Sequence, residues 1–437
     1  MKIILPIFLL LTTSLFAQLT FTQYTTDDGL CDNRCQAIAI DSTGNIWTGG
    51  WPNLYEEPGG VSCFNKEQNL WHSWWTYTTD WNIANDQIKD IQVDRDNTVW
   101  IVTGCYPWDY WNPADTNKIL CFYRDSEWNR FDHRYGLPGF WYRRMGFDFA
   151  GQLWLTSESQ GALCYNGSSW SFIDTASGLR KNDLVHIEVD HENVLWFCNT
   201  WFDPTGLWRD AFVIYSYDHE HIVEHVIIDS IPFSEYVNHL RVSPDDKIWI
   251  CTRHGLYIYD RSRFRHYLSD EDERTYKVYD VGFDSSGLAW LLVYDSDGAD
   301  VLLYNGVNFT SVDSMYGIPF DLPHYLMEIV IDDDDTKWIA SIGDGIISIE
   351  GSVSGLDEAP KAKSFDLTAY PNPFNSSCRI ETAKDADVQI FDIRGNLVQK
   401  LDNTDVFTPT EDMPTGIYLV RARTAKETIT KKIHFVK

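Results

Sequence analysis

Beyond its first 17 residues the chain has no apolar run long enough to cross a bilayer. Positive charge is scarce: 35 Lys and Arg stand against 64 Asp and Glu in 437 residues, for a formal net charge of −29. An acidic surface without a basic stripe repels phosphate. Nucleic acid and anionic lipid are therefore disfavoured partners, and neutral glycans, proteins and cations remain. A nucleophile elbow, a phosphate-binding loop and a paired-cysteine metal motif are all missing, and no cofactor is expected. Residues 351–437 hold 12 acidic and 12 basic side chains, so the whole excess of negative charge belongs to the first 350 residues.

What the chain does have is a repeat. Trp47, Trp100, Trp154, Trp196, Trp249, Trp290 and Trp338 recur at spacings of 41 to 54 residues. Each is preceded six places earlier by Asp41, Asp94, Asp148, Asp190, Ser243, Asp284 or Asp332, so one frame carries serine. Around each tryptophan the pattern reads strand, tight polar turn, strand, with the aspartate placed to accept bonds from turn amides, and two further strands follow. Four strands at this period make one blade of a β-propeller, whereas helical solenoids do not fit the pattern. The seventh unit stops at Glu350-Gly351 without its fourth strand, and an unpartnered strand opens the mature N-terminus near Phe21. Pairing the two closes the ring and removes two sheet edges that would invite aggregation.

The fold class expected is therefore all-β: a seven-bladed β-propeller over residues 18–351, closed by the N-terminal strand, then a linker over 352–364 and a small immunoglobulin-like β-sandwich over 365–437. Residues 1–17, with Lys2, an apolar core and Leu15-Phe16-Ala17, read as a secretory signal peptide cleaved after Ala17. Of the nine cysteines, Cys63, Cys121, Cys164, Cys198 and Cys251 follow repeat columns and read as small core residues, because equivalent columns in neighbouring blades lie too far apart to bridge. Cys31 and Cys35 are near enough in sequence to pair; Cys105 and Cys378 are left open.

Two family resemblances add to this. Tyr370-Pro371-Asn372-Pro373-Phe374-Asn375, Val388 to Asp392 with Gly395, Gly416-Ile417-Tyr418 and Lys431-Lys432-Ile433 resemble the C-terminal sorting domain of the type IX secretion system. This implies export across an outer membrane, recognition by that machinery, and attachment at the surface or release. Gly29-Leu30-Cys31-Asp32-Asn33 through Asp41, Gly44 and Trp47 resembles the two-component-regulator propeller repeats, as does Gly178-Leu179 through Asp190 and Trp196. In those repeats the propeller is a periplasmic sensor, and only its ligand-binding role carries over here.

The loops leaving one face of such a ring are unequal. Nine of the 19 tryptophans lie outside the frame and the fourth strands, and all nine precede residue 210. Trp51, Trp108, Tyr110, Trp111, Trp141, Tyr142, Arg143, Trp201 and Trp208 are the candidate ligand-binding residues, an aromatic platform for a sugar ring or a protein; the alternatives for the loop aromatics are a mini-core beneath the long loops or a subunit contact. Trp74, Trp75, Tyr77 and Trp81 belong to the same loop aromatics. His219, His221, Glu224 and His225 are the one histidine cluster, and they read as a solvated hairpin, since on a strand His221 and His225 lie roughly 13 Å apart by strand rise. Asp332 to Asp335 and Asp94 to Asn97 mimic calcium loops but fall where every repeat turns. Tyr142, Arg143 and Arg144 offer the alternative of lyase chemistry on a uronate, with the tyrosine abstracting a proton. The leading functional expectation is a binding module at the cell surface or released; the alternative is a lyase of polysaccharides or streptogramin-like substrates.

Overall fold

The computed structural model describes residues 19–52, 59–104, 120–131, 135–138, 142–199, 212–228, 237–269, 276–318, 325–353, 368–370, 377–382, 386–392, 397–401, 406–410, 413–423 and 428–435. The chain forms two compact units that meet between Leu356 and Asp357. The segment read as a signal peptide lies outside the described residues.

Seven four-stranded antiparallel sheets build the N-terminal unit. Their first strands are Cys35–Ile40, Ile88–Val93, Tyr142–Phe147, His186–Val189, Val237–Val242, Lys277–Phe283 and Leu326–Ile331. Each first strand packs against the next in chain order, and the seventh packs against the first. Six sheets are continuous in sequence. The seventh takes Leu326–Ile331, Lys337–Ser341 and Ile346–Glu350 and then Thr20–Tyr24, with Phe21 opposite Ile349. Gly345 allows this junction: at φ +71° its missing Cβ leaves space for the Tyr24 carbonyl, a position an L side chain would obstruct.

Every seam between neighbouring sheets is a separate apolar cluster, and each frame tryptophan fills one seam. All seven are at most 8% exposed. Burying such a ring removes roughly 150–250 Å² from water, on the order of 4–6 kcal/mol before entropy is charged against it. The frame aspartate supports this placement with both oxygens. In Asp148, Oδ1 accepts the amides of Ala150 and Gln152, each at 2.9 Å, and Oδ2 accepts the Trp154 indole N–H at 3.0 Å. The indole bond recurs at 2.8–3.0 Å in the other five aspartate frames. Where serine stands instead, Ser243 Oγ accepts only the Lys247 amide at 3.0 Å, and the buried Trp249 indole N–H has no partner. A cavity of about 360 Å³ lies beside Trp249 and Ser243.

Cys35, Cys63, Cys121, Cys164, Cys198 and Cys251 fill the same seams, and Cys378 lies in the core of the C-terminal unit. Eight cysteines are described, all buried and all free. Cys31 and Cys35 are thus not bridged: Cys31 accepts the Ser62 hydroxyl and the Cys35 thiol points to the Asp32 carbonyl.

The C-terminal unit has two antiparallel sheets. One orders Leu397–Leu401, Asp387–Asp392, Gly416–Arg423 and Thr428–Phe435; the other orders Thr368–Tyr370, Cys378–Glu381 and Val406–Phe407. Alternate residues of these strands, among them Ile380, Val388, Ile390, Val420 and Ile433, form its core, the period of two expected of packed strands.

Candidate functional site

The first strands all begin on one face, and their starts surround a cavity of about 650 Å³. Every sheet contributes: Gln36, Lys89, Arg144, His186, Asn238, Tyr279 and Met327 come from the seven first strands in order. Trp51, Arg253 and Ile342 enter from just beyond the second strands, and Arg34, Gln87, Arg143, Val185 and Tyr325 complete the wall. Convergence from seven separate sheets follows from the ring, because only strand starts at its inner edge can meet.

Below the mouth lies a belt of ionisable groups that the sequence reading did not single out. Counting four residues back from each frame position gives Ala37, Asp90, Arg144, His186, His239, Asp280 and Glu328, six of them ionisable in otherwise apolar strands. In most sheets a register shift falls just before this position, and such bulges re-aim a side chain. Arg144 contacts Asp90 and Glu328, each at 3.2 Å; Arg241 contacts Asp280 at 2.8 Å, Glu328 at 3.2 Å and Glu188 at 3.3 Å. His239 bridges Glu328 through Nε2 at 3.2 Å and Asp280 through Nδ1 at 3.5 Å. Two carboxylates also stitch sheets together. Asp90 accepts the Met145 amide at 2.6 Å, and Asp280 accepts the Ile329 amide at 3.0 Å.

Burial and partners pull the belt in opposite directions. Burial resists ionisation of Glu328, but Arg144, His239 and Arg241 outweigh it and hold the carboxyl below its usual range. In Asp90 and Glu188 burial wins and the carboxyls are raised, despite Arg144 and Arg241 respectively. Burial, then His239 and the arginines, hold His186 well below the usual imidazole range, so it is neutral. His239, Asp280 and Glu328 place one donor each within 4.8 Å, but Arg241 already donates to both carboxylates and supplies their positive partner.

Of the expected site residues, the structure brings Trp51 and Arg143 to the mouth. Tyr142 does not join them: it is wholly buried in the seam between the second and third sheets, and its hydroxyl donates to the Pro138 carbonyl. A register shift between Tyr142 and Met145 interrupts the strand's alternation, so Arg143 and Arg144 both reach the mouth while Tyr142 stays in the core, apart from the arginines expected to accompany it. Trp108, Tyr110, Trp111, Trp141, Trp201 and Trp208 lie outside the described residues. Trp74, expected in a loop, ends the fourth strand of the first sheet and stacks on Trp47 at 5.6 Å. Trp81 and Tyr77 form an exposed edge-on pair with ring centres 5.2 Å apart.

The histidine cluster disperses. His225 bonds Ser216 and Tyr259, His219 bonds Asn193, and Glu224 receives two 2.6 Å bonds from Arg180. The acidic runs are turns: Asp332 and Asp94 serve their own amides and tryptophans, and Lys66 spans Asp332 and Asp334, each at 2.8 Å.

Residues 368–436 match a family described as the secretion system C-terminal sorting domain. The chain ends in a sorting domain for type IX secretion. This marks it as cargo of that machinery, placed at the cell surface, attached to the outer membrane or secreted. Among the described residues no helix is long and apolar enough to cross a membrane. No curated protein matches the chain in sequence.

Among solved structures the chain is similar to PorZ of Porphyromonas gingivalis, a surface component of the type-IX secretion system, at 15% identity and TM-score 0.54 over 94% of this chain and 60% of that one. It is similar to the extracellular domain of the hybrid two-component system BT3049 of B. thetaiotaomicron at 14% identity and TM-score 0.55, over 95% of this chain and 57% of that one. Virginiamycin B lyase of Staphylococcus aureus matches at 13% identity and TM-score 0.53, over 76% of this chain and 99% of the lyase. The chain thus spans less than two thirds of the first two proteins. At these identities the likeness is one of fold: an all-β, propeller-like architecture.

Proposed function

We propose that the chain is an exported surface module that binds a glycan in the mouth of its ring. On this reading the seven sheets are the blades of a seven-bladed propeller over residues 18–351, residues 1–17 are removed on export, and residues 365–437 form an immunoglobulin-like sandwich that serves as the address. The observation that carries the ligand reading is the cavity of about 650 Å³ built from all seven sheets. That volume falls within the roughly 300–1,000 Å³ of small-ligand pockets, whereas a protein partner needs a broad face of about 800 Å² per side. Trp51, 46% exposed at the rim, offers a flat indole to the apolar face of a pyranose.

The test is a panel of soluble polysaccharides and oligosaccharides applied to the secreted protein, with Trp51→Ala alongside. Micromolar binding to at least one saccharide, weakened about tenfold or more by the substitution, is expected. Binding that is indifferent to Trp51, or confined to protein ligands, contradicts the proposal.

A further inference from the structure

We propose that the saccharide taken by this mouth is acidic, a uronate oligomer whose carboxylates meet the arginines of the wall. The inference deepens the glycan reading and rests on it. In a chain of net charge −29 the described residues of the cavity wall include Arg34, Lys89, Arg143, Arg144 and Arg253, and among those described residues there is no aspartate or glutamate.

For Arg34 and Arg144 the counter-charges are more deeply buried than the cations. Arg34 is 25% exposed and its partner Asp32 0%. Arg144 is 17% exposed against 0% for Asp90 and 3% for Glu328. Arg143, paired with Glu158, is the more exposed of the two at 39% against 31%, and its buried Nε has no hydrogen-bond partner. A ligand entering the mouth therefore meets guanidinium first. A cleft lined by one sign of charge between low-dielectric walls concentrates field lines and draws in the opposite charge, and the guanidinium fork matches a carboxylate with two parallel bonds.

The remaining wall chemistry selects a sugar over an acidic peptide. Trp51, Tyr279 and Tyr325 present aromatic surface between the cations, with Tyr325 47% exposed and standing edge-on to Tyr279. Gln87 and Asn238 supply amide groups for hydroxyls. Neutral His186 in the floor takes no part of the ligand's charge and can still exchange a hydrogen bond with a hydroxyl.

The experiment is calorimetric titration of the full exported chain with oligogalacturonate, alginate and hyaluronan oligomers, with methyl-esterified oligogalacturonate, with neutral xylo-oligosaccharide and with polyglutamate. At least one uronate oligomer should bind, its neutral or esterified counterpart at least tenfold more weakly, and raising NaCl from 50 to 500 mM should weaken the acid form alone. The double variant Lys89→Gln/Arg253→Gln, checked for an unchanged melting temperature, should weaken uronate binding at least tenfold and spare neutral sugars; Trp51→Ala should weaken both alike. Equal affinity for esterified and free acid overturns the charge assignment and leaves the glycan reading standing. Tighter binding of polyglutamate than of any uronate overturns it in favour of an acidic protein segment. Binding of no saccharide at all, neutral or acidic, removes the glycan reading and this inference with it.

Discussion

Replacing Asp148 by alanine isolates the bond that repeats around the ring. The substitution removes an acceptor for the Ala150 and Gln152 amides and for the Trp154 indole N–H. The turn at Phe149 and Ala150 is exposed, so its amides regain water and their loss costs a fraction of a kcal/mol each. Trp154 is 4% exposed and cannot do so; an orphaned buried donor costs about 1–3 kcal/mol. Together the loss is about 3 kcal/mol, roughly a 6 °C fall in melting temperature at about 2 °C per kcal/mol for a large domain. Ser243→Ala is the internal reference. There the Trp249 indole already lacks a partner; the Lys247 amide loses its acceptor and the exposed Asp245 carboxylate loses the Ser243 hydroxyl, so about 1 kcal/mol is expected. Urea unfolding followed by circular dichroism measures both. If the two variants fall within about 0.5 kcal/mol of each other, the indole bond contributes nothing and the reasoning fails.

Three further outcomes are expected. Burial pushes the thiols of Cys31 and Cys121 up to about 12 and that of Cys164 up to about 11, so the eight described cysteines should resist a thiol reagent at pH 8 until the chain is unfolded; rapid native-state labelling of these sites, mapped by mass spectrometry, contradicts their placement. Removing Thr20–Tyr24 strips the outer strand from Ile346–Glu350 and exposes a sheet edge, so the shortened protein should melt lower and aggregate in light scattering, and a monodisperse variant of unchanged melting temperature counts against closure. Stability should peak near about pH 4. Below that, Asp41, Asp190 and Asp332 fail: burial opposes their ionisation, but hydrogen bonds outweigh it and hold them below the usual range, so their contribution is present above the unfolded carboxyl pKa of about 3.9 and lost as pH falls through the folded values. Above it, Asp183, pushed up to about 6 by burial and Glu158, and the raised Asp90 and Glu188 act in the opposite sense: their contribution is present below the unfolded value and lost as pH rises from there through the folded value. A melting temperature that climbs steadily down to pH 3 refutes this assignment.

The sheets were legible because one tryptophan and one aspartate do the same job at each repeat, and the same job leaves the same letters. The belt was not, because its position carries Asp, Arg, His, His, Asp and Glu in turn. Those residues complement one another across the ring instead of repeating, and only ring closure makes Arg144 and Glu328, 184 positions apart, neighbours. Among the described loop tryptophans Trp51 and Trp81 are exposed and Trp74 packs against a seam, and the cations of the mouth carry no sequence motif. Net charge is a sum over the chain and says nothing of which side chains face one cavity. Tyr142 and Arg143 show the limit of reading neighbours as partners, because the strand that presents one buries the other.

The strand that completes the seventh sheet also has a mechanical meaning. Ile346–Glu350 lies between Lys337–Ser341 on one side and Thr20–Tyr24 on the other, and the chain that leaves it runs on to the sorting domain. Tension applied through that tail reaches a strand held by two ladders, so releasing it requires breaking both rows of hydrogen bonds. Pulling on the tail therefore loads an inner strand of the seventh sheet, whereas without Thr20–Tyr24 it would load an edge strand.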